Sequence, residues 1–292
     1  MKTLLCCIGR KENRYIREFV EYYKKIGFTH ICLYDNNYEG EEHFEDVIGD
    51  YVDGGFVETI DYRDKGRGTL LPCLQIDAYE ECYRKYGKEY DWVAFFDCDE
   101  FLAFADGGPK NIEEALSWTG YDGYDAVCVN WMLFTDGGML SDDGRPVLER
   151  FVEPMLPYDK KRLGSNICNN DILKVIVRGG LDEFKLSTVH FTKVPKNVCN
   201  NVGEKITWVS GSWPVNFERM YLKHFRCKTV DEFMLKIERG YPDTKITSVD
   251  RRRMLLSMFF QDNEPTAEKL TYIKEKYDID LFGFYNTCGI VL

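Results

Sequence analysis

The residues in this chain best suited to chemistry are Asp97 and Asp99, which follow directly on the apolar run Trp92-Val93-Ala94-Phe95-Phe96. In extended backbone, residues two apart point to the same side, so both carboxylates project together from the end of a buried strand. Like charges held that close are costly to bury unless a cation or another partner neutralises them. Hard carboxylate oxygens at a strand end suit Mg2+ or Mn2+ bridging a diphosphate, where the metal takes up charge that builds on a departing phosphate. A nucleotide-activated sugar is a substrate of that kind. The triplet alone is weak evidence: with 25 aspartates in 292 residues, about two Asp-x-Asp triplets arise by chance. The second here, Asp278-Ile279-Asp280, follows a helix-like stretch with no apolar strand before it. Position in the pattern therefore separates the two.

The elements that would hold these aspartates are legible from periodicity. Leu4 to Ile8 reads as a buried strand, and Tyr15, Ile16, Phe19, Val20, Tyr23 and Ile26 recur at helical spacing up to Gly27. His30 to Tyr34 is the next strand, completing a strand-helix-strand unit of the size a parallel crossover needs. The pattern repeats with a helix over Phe44 to Tyr51, a strand over Phe56 to Ile60, a helix over Leu70 to Tyr86 and a strand over Trp92 to Phe96. This alternation predicts an α/β fold, a mixed and mainly parallel sheet flanked by helices. In such sheets ligands bind beyond the carboxyl ends of the strands. Those ends read Gly9-Arg10-Lys11-Glu12, Asp35-Asn36-Asn37, Asp61-Tyr62-Arg63-Asp64 and Asp97-Cys98-Asp99-Glu100, so four strands bring carboxylates to one edge. Asp61 and Asp64 read more simply as turn formers.

The second half alternates less. Strand-like runs at Ala126 to Phe134, Ile172 to Val177 and Ser187 to Phe191 are separated by the turn chemistry of Asp136-Gly137-Gly138 and Ser141-Asp142-Asp143-Gly144. From Thr229 onward three apolar stripes read as helices, broken at Pro242 and Pro265. The expected organisation is one domain over 1–228, with a nucleotide-sugar half over about 1–105 and an acceptor half over about 106–228, and a helical extension over 229–292.

Composition excludes several classes. At 292 residues with 44% hydrophobic and 30% charged positions, the chain is globular rather than disordered or fibrous. Its net charge of −11, with no dense basic tract, repels nucleic acid. No apolar run approaches the ~18 residues of a membrane span, and Thr3 to Ile8 is too short for a secretory signal, so the expected compartment is the cytoplasm. The eleven cysteines include no Cys-x-x-Cys pair and read as small buried hydrophobes rather than a disulfide framework or a zinc site.

Asp97-Cys98-Asp99-Glu100-Phe101 resembles the D-x-D-E-F element of GT-A glycosyltransferases of the family 2 and family 92 type, including bacterial surface-polysaccharide enzymes. The resemblance runs from Glu12, Tyr15, Ile16, Glu18, Tyr22 and Gly27 through Tyr34-Asp35-Asn36, Gln75 and Ala78. It continues through Trp131-Met132-Leu133-Phe134, Glu149-Arg150-Phe151 and Val189-His190-Phe191. The late stretch His224-Phe225-Arg226-Cys227-Lys228-Thr229, with Glu232-Phe233, Lys236 and Arg239-Gly240, is similar to the H-Y-x-x-K-S/T-x-x-E-F-x-x-K-x-x-x-G segment of that group.

The resemblance implies a GT-A fold and a metal-dependent, inverting transfer of a hexose from a UDP-sugar to a saccharide or glycolipid acceptor in surface glycan synthesis. It implies Mn2+ or Mg2+ held by Asp97, Asp99 and His224. Glu12, Asp35, Arg67, Gln75 and Asp97 would line the donor pocket, and Trp131 and His190 would lie near the acceptor. Inversion needs a carboxylate to take the acceptor's proton. Glu183, in the loop after the Ile172 to Val177 strand, and Asp136, beside the Gly-rich loop, are both candidates. Phe225 stands where the group has tyrosine, and Asp136 where it more often has a small residue. Glycolipid acceptors would bring the protein to the inner membrane face. A nucleotidyltransferase is the alternative enzyme on such a scaffold, but Gly9-Arg10-Lys11-Glu12 is glycine-poor for holding a triphosphate. A non-catalytic carbohydrate-binding protein would leave the carboxylate edge without a purpose.

Overall fold

A computed structural model describes residues 1–65, 74–155, 169–207, 215–240 and 249–281. The chain divides into two compact units, residues 1–132 with 169–224, and residues 133–168 with 225–292.

The first unit opens β1 (Thr3–Gly9), α1 (Asn13–Lys25), β2 (His30–Asp35), α2 (Glu45–Asp53), β3 (Val57–Asp61), α3 (Leu74–Tyr86), β4 (Trp92–Phe95). It continues with β5 (Glu100–Phe104), α4 (Ile112–Leu116), β6 (Ala126–Leu133), β7 (Leu173–Arg178), β8 (Lys185–Thr188), β9 (Phe191–Val194), β10 (Val198–Asn200), β11 (Lys205–Ile206) and β12 (Met220–His224). The main sheet runs β11-β10-β6-β7-β4-β1-β2-β3, with β12 paired to both β6 and β5. β3, β2, β1 and β4 are parallel, each joined to the next in sequence by a helix. β7 is inserted antiparallel between β4 and β6. The mixed α/β sheet flanked by helices is the class the alternation predicts.

Why the central strands carry apolar side chains on both faces follows from cover on both faces. Leu4 and Cys6 of β1 share a core with Cys32, Tyr34, Val93 and Phe95 and with Ala78, Tyr79, Cys82 and Tyr83 of α3. On α1, Ile16, Phe19, Val20 and Tyr23 are fully buried, and the Tyr23 ring lies 6.1 Å from Phe96 and 6.4 Å from Phe101. Fully burying each such side chain stabilises by about 1.5–3 kcal/mol. The two tyrosines of α1 also carry hydroxyls into β5: Tyr22 donates to the Leu102 carbonyl at 2.6 Å and Tyr23 to the Glu100 carbonyl at 2.8 Å. α1 thereby fixes the strand that leaves the Asp97–Glu100 turn. The eight described cysteines are reduced and buried, as small hydrophobes would be.

One predicted strand is corrected. Ser187 to Phe191 is not continuous: β8 and β9 form an antiparallel hairpin, and Thr188 Oγ1 accepts the His190 N–H at 3.1 Å to close its turn. That local side-chain bond to the backbone competes with the ladder and wins. His190 therefore stands on a turn, not in a strand.

The second unit holds α5 (Val147–Arg150), α6 (Val230–Arg239), α7 (Val249–Asp262) and α8 (Ala267–Tyr277). Val230, Phe233, Met234 and Ile237 of α6 pack against Leu255, Leu256 and Phe259 of α7 and Leu270 and Ile273 of α8. Thr229 and Glu232 form a reciprocal capping box at the start of α6. Glu232 also takes a bidentate pair from Arg150, both bonds 2.8 Å, with the guanidinium completely enclosed. The Glu149-Arg150-Phe151 and Thr229-to-Phe233 motifs thus have a structural use: one pins the other.

Candidate active site

Register puts the first three strand ends level: Gly9 opposes Asp35, which opposes Asp61. Asp61 forms a local turn with Arg63 and is exposed to solvent, as a turn former would be. Asp35 is different. Nearly buried, its Oδ1 accepts from the Asn37 N–H at 2.9 Å and the Asn37 amide at 2.7 Å, while Asn37 Oδ1 accepts the Lys11 N–H at 2.7 Å. The loops after β1 and β2 are tied together by the Asn37 side chain, which this carboxylate holds in place. Glu12, also buried, caps the chain's entry to α1 through its carbonyl, which accepts from Tyr15 and Ile16. Arg10 stacks 3.5 Å over the Tyr38 ring and clamps Glu41, which is held down to about 2 chiefly by that guanidinium.

β4 runs into the turn that carries the paired aspartates. Asp97 N–H donates to Glu100 Oε2 at 2.8 Å, and Glu100 N–H to the Asp97 carbonyl at 3.0 Å. Cys98, between the aspartates, fits under β1, where its Sγ lies 3.3 Å from Cys7 Sγ. A side chain at Gly9 would bring its Cβ to 2.7 Å from the Cys98 sulfur, so only glycine lets the turn sit this close.

The two carboxylates then part company. Asp97 Oδ1 accepts from Lys174 Nζ at 2.8 Å, Tyr79 hydroxyl at 3.0 Å and the Gln75 amide. Burial opposes ionisation of Asp97, but the Lys174 charge outweighs it and holds the carboxyl below its ordinary range. Lys174 is fully enclosed; burial works against its charge, and Asp97 with Glu100, 3.7 Å away, keeps the ammonium above its ordinary value. Glu100, by contrast, is pushed well upward by burial and then by Asp97. Asp99 turns to the second strand pair. β12 runs antiparallel to β5 with His224 opposite Glu100, which brings His224 Nε2 to 3.4 Å from Asp99 Oδ1, both side chains nearly buried.

Residues 2–132 match the model of Glycosyltransferase family 92. That match supports a glycosyltransferase. Family 92 proteins of Oryza sativa subsp. japonica and Ricinus communis are each 26% identical to this chain, over 118 and 114 residues. Each alignment takes in 38% of this chain and 18% of the plant protein; both relatives are plant rather than bacterial proteins. Among solved structures, S. aureus TarS 1-349 in complex with UDP aligns over 100% of this chain and 76% of its own, at 11% identity and a TM-score of 0.38. The mannosyltransferase PcManGT of Pyrobaculum calidifontis, in complex with GDP-Man and Mn2+, aligns over 44% and 35%, at 12% identity and a TM-score of 0.32. The strand order and register of the sheet, not these likenesses, carry the fold.

Around the Asp99–His224 pair lie the two residues assigned to the acceptor side. The buried Trp131 ring is 4.1 Å from His224 and 5.1 Å from His190, the latter edge-on. His190 has its Nδ1 3.3 Å from the Leu173 carbonyl, and burial, then the Lys174 charge, lowers its imidazole to about 4. It is neutral near pH 7. Gln75 is at the site through Asp97; Arg67 lies outside the described residues. Glu183 is placed elsewhere. Because β7 is antiparallel to β4, with Arg178 opposite Trp92, the loop after β7 emerges at the edge opposite Asp97, and Glu183 is exposed there. Only a parallel β7 would carry that loop to the aspartates. Asp136 belongs to the second unit, where it is buried with Lys269 Nζ at 2.6 Å and caps the turn at Gly138.

Sequence reasoning missed Lys174, Tyr79 and Glu100. Lys174 is hidden in Leu-Lys-Val-Ile-Val, an otherwise apolar strand; a lone lysine inside such a run is the one signal the sequence offers.

No group of three or more His, Cys, Asp or Glu side chains poised for a metal occurs among the described residues. The donor chemistry of Asp99 and His224 nonetheless fits Mn2+ or Mg2+ in an open site. Two donors of one such ion, each roughly 2.1 Å from it, stand about 3 Å apart, and these ions commonly use one or two protein ligands and leave the rest to water and phosphate.

Proposed function

We propose that this chain moves a hexose from a UDP-sugar to a saccharide or glycolipid acceptor, with inversion, using Mn2+ or Mg2+ held by Asp99 and His224; Asp97, the third ligand expected from the sequence, is paired with Lys174 instead. The observation that carries this reading is the Asp99–His224 contact beside Asp97 at the sheet edge where β1, β2 and β4 end. The family 92 match over residues 2–132 supports the same chemistry. UDP as carrier, inversion and a role in surface glycan synthesis are what the sequence resemblance implies. The bound metal would neutralise the diphosphate as it leaves. Asp35, rigid between two loops, and Glu12 would bound the nucleotide pocket; Asp97 would meet the donor; Trp131 and neutral His190 would line the acceptor side.

No helix among the described residues is long and apolar enough to cross a membrane. We place the protein in the cytoplasm, meeting a glycolipid acceptor at the inner membrane face. Calorimetry with UDP, ADP and GDP, each with and without Mn2+, tests the reading together with hydrolysis of UDP-hexoses. Preferential, Mn2+-strengthened binding of UDP is expected. Absence of any nucleoside diphosphate binding overturns the function, and tight binding indifferent to metal overturns the metal role.

A further inference from the structure

A lysine with no solvent exposure, placed in a strand, needs an explanation beyond stability. Lys174 lies in β7 between Leu173 and Val175, and its side chain is 0% exposed. Exchanging a buried ion pair for well-packed apolar side chains is often neutral or stabilising, so packing alone would be served by an aliphatic residue here. What the charge does is visible in its contacts. β7 runs antiparallel to β4 with Ala94 opposite Ile176, so the start of β7 reaches the end of β4, and Lys174 Nζ arrives 2.8 Å from Asp97 Oδ1. Tyr79 and Gln75, one turn apart on α3, donate to that same oxygen. Three donors from two elements thus converge on Oδ1. Oδ2 receives no hydrogen bond among the described residues, and the Asp97 side chain keeps 30% of its exposure.

We propose that Lys174 is a positioning residue for the donor: with Tyr79 and Gln75 it fixes the Asp97 carboxylate through Oδ1, so that the ligand meets Oδ2 in one orientation. A carboxylate held by a single partner would rotate between its two oxygens; a three-donor grip from a helix and a strand removes that freedom before the ligand arrives. Glu100 Oε1 lies 3.7 Å from Nζ, beyond hydrogen-bond reach, so the close partner of the ammonium is Asp97. This inference rests on the reading that the edge binds a nucleoside diphosphate.

The test is a double-mutant cycle of Lys174→Met and Asp97→Asn, read by calorimetry with UDP and Mn2+ and by melting temperature on each variant. Each single variant is expected to weaken UDP binding about 10-fold or more, the scale of a lost charge-assisted hydrogen bond. The double variant should bind no worse than the weaker single one, while its melting temperature recovers relative to Lys174→Met, because no carboxylate is left opposite a missing cation. A merely structural lysine would move affinity and melting temperature together. Wild-type affinity in Lys174→Met, or losses that add in full, would overturn the proposal while leaving the function intact. A wild-type protein that binds no nucleoside diphosphate overturns the functional reading and the positioning role with it. Should Lys174→Met not fold, Tyr79→Phe, which removes one Oδ1 donor without removing a charge, should weaken UDP roughly threefold, and wild-type affinity in that variant would overturn the proposal.

Discussion

His224 stands 3.4 Å from Asp99 because β12 pairs antiparallel with β5 in a register that sets His224 opposite Glu100. The last residue of one strand thus meets the residue just before the other. The contact is not a local accident of a loop: β5 is anchored by Tyr22 and Tyr23 of α1, and β12 is hydrogen-bonded on its other side to β6. Helix, turn and two strands converge to hold one imidazole nitrogen against one carboxylate oxygen.

We predict that His224→Gln raises the Mn2+ concentration needed for half-maximal activity by about 10-fold or more, since it takes one of two protein donors from an open site. Glutamine nearly keeps the volume that packs 4.1 Å from Trp131, so the melting temperature should fall only a few degrees. An unchanged metal titration with a large loss of stability would make His224 a packing residue.

Glu183→Gln should transfer sugar at the wild-type rate. Its loop leaves β7 at Arg178, opposite Trp92, at the far edge from Asp97, and an exposed side chain there has no reach to a proton on an acceptor. Turnover measured under saturating donor and acceptor checks this; a drop of about 10-fold or more would mean that the loop serves the reaction after all.

The central α/β pattern is legible because each helix-strand alternation from Leu4 to Phe96 has its own period, and a polar residue stands at or within two residues of each strand end in that half. Asp35 and the Asp97–Asp99 pair can be found that way. β5 and β12 cannot: Glu100–Phe104 looks like a tail on the preceding apolar run, and its pairing with Met220–His224 is long-range, set by register rather than by any local signal. The direction of β7 is equally invisible, since periodicity does not distinguish parallel from antiparallel. That single ambiguity misplaces Glu183 and conceals Lys174. The late motif around Thr229 is recognisable as a pattern, but its use as a helix cap clamped by Arg150 is evident only once α5 and α6 are seen together.

Asp136→Asn should act first on stability. Asp136 and Lys269 are both nearly buried and 2.6 Å apart, so neutralising one leaves a buried ammonium without its counter-charge, at a cost of about 3 kcal/mol. Denaturant unfolding should show that loss, and adding Lys269→Met should recover a large part of it. A variant with wild-type stability and turnover lowered roughly 10²-fold would instead identify Asp136 as the base.

The last prediction concerns pH and His190. Its folded-state pKa of about 4 lies below the ordinary value near 6.5, because burial and then the Lys174 charge oppose protonation. Between those two values the unfolded chain binds a proton that the folded chain does not. Stability is therefore fully present above about 6.5 and is lost as pH falls toward about 4. Each tenfold difference in proton affinity between the folded and unfolded chain is worth about 1.4 kcal/mol, and the ring's partial exposure reduces the sum to about 2 kcal/mol through solvent screening. His190→Gln has no proton to gain, so its unfolding free energy should be flatter than the wild-type's across this window, the two curves converging as the pH falls. Chemical denaturation at half-unit steps from pH 4 to pH 7 gives both curves. Parallel curves would mean that His190 is protonated as readily in the folded protein as in the unfolded chain.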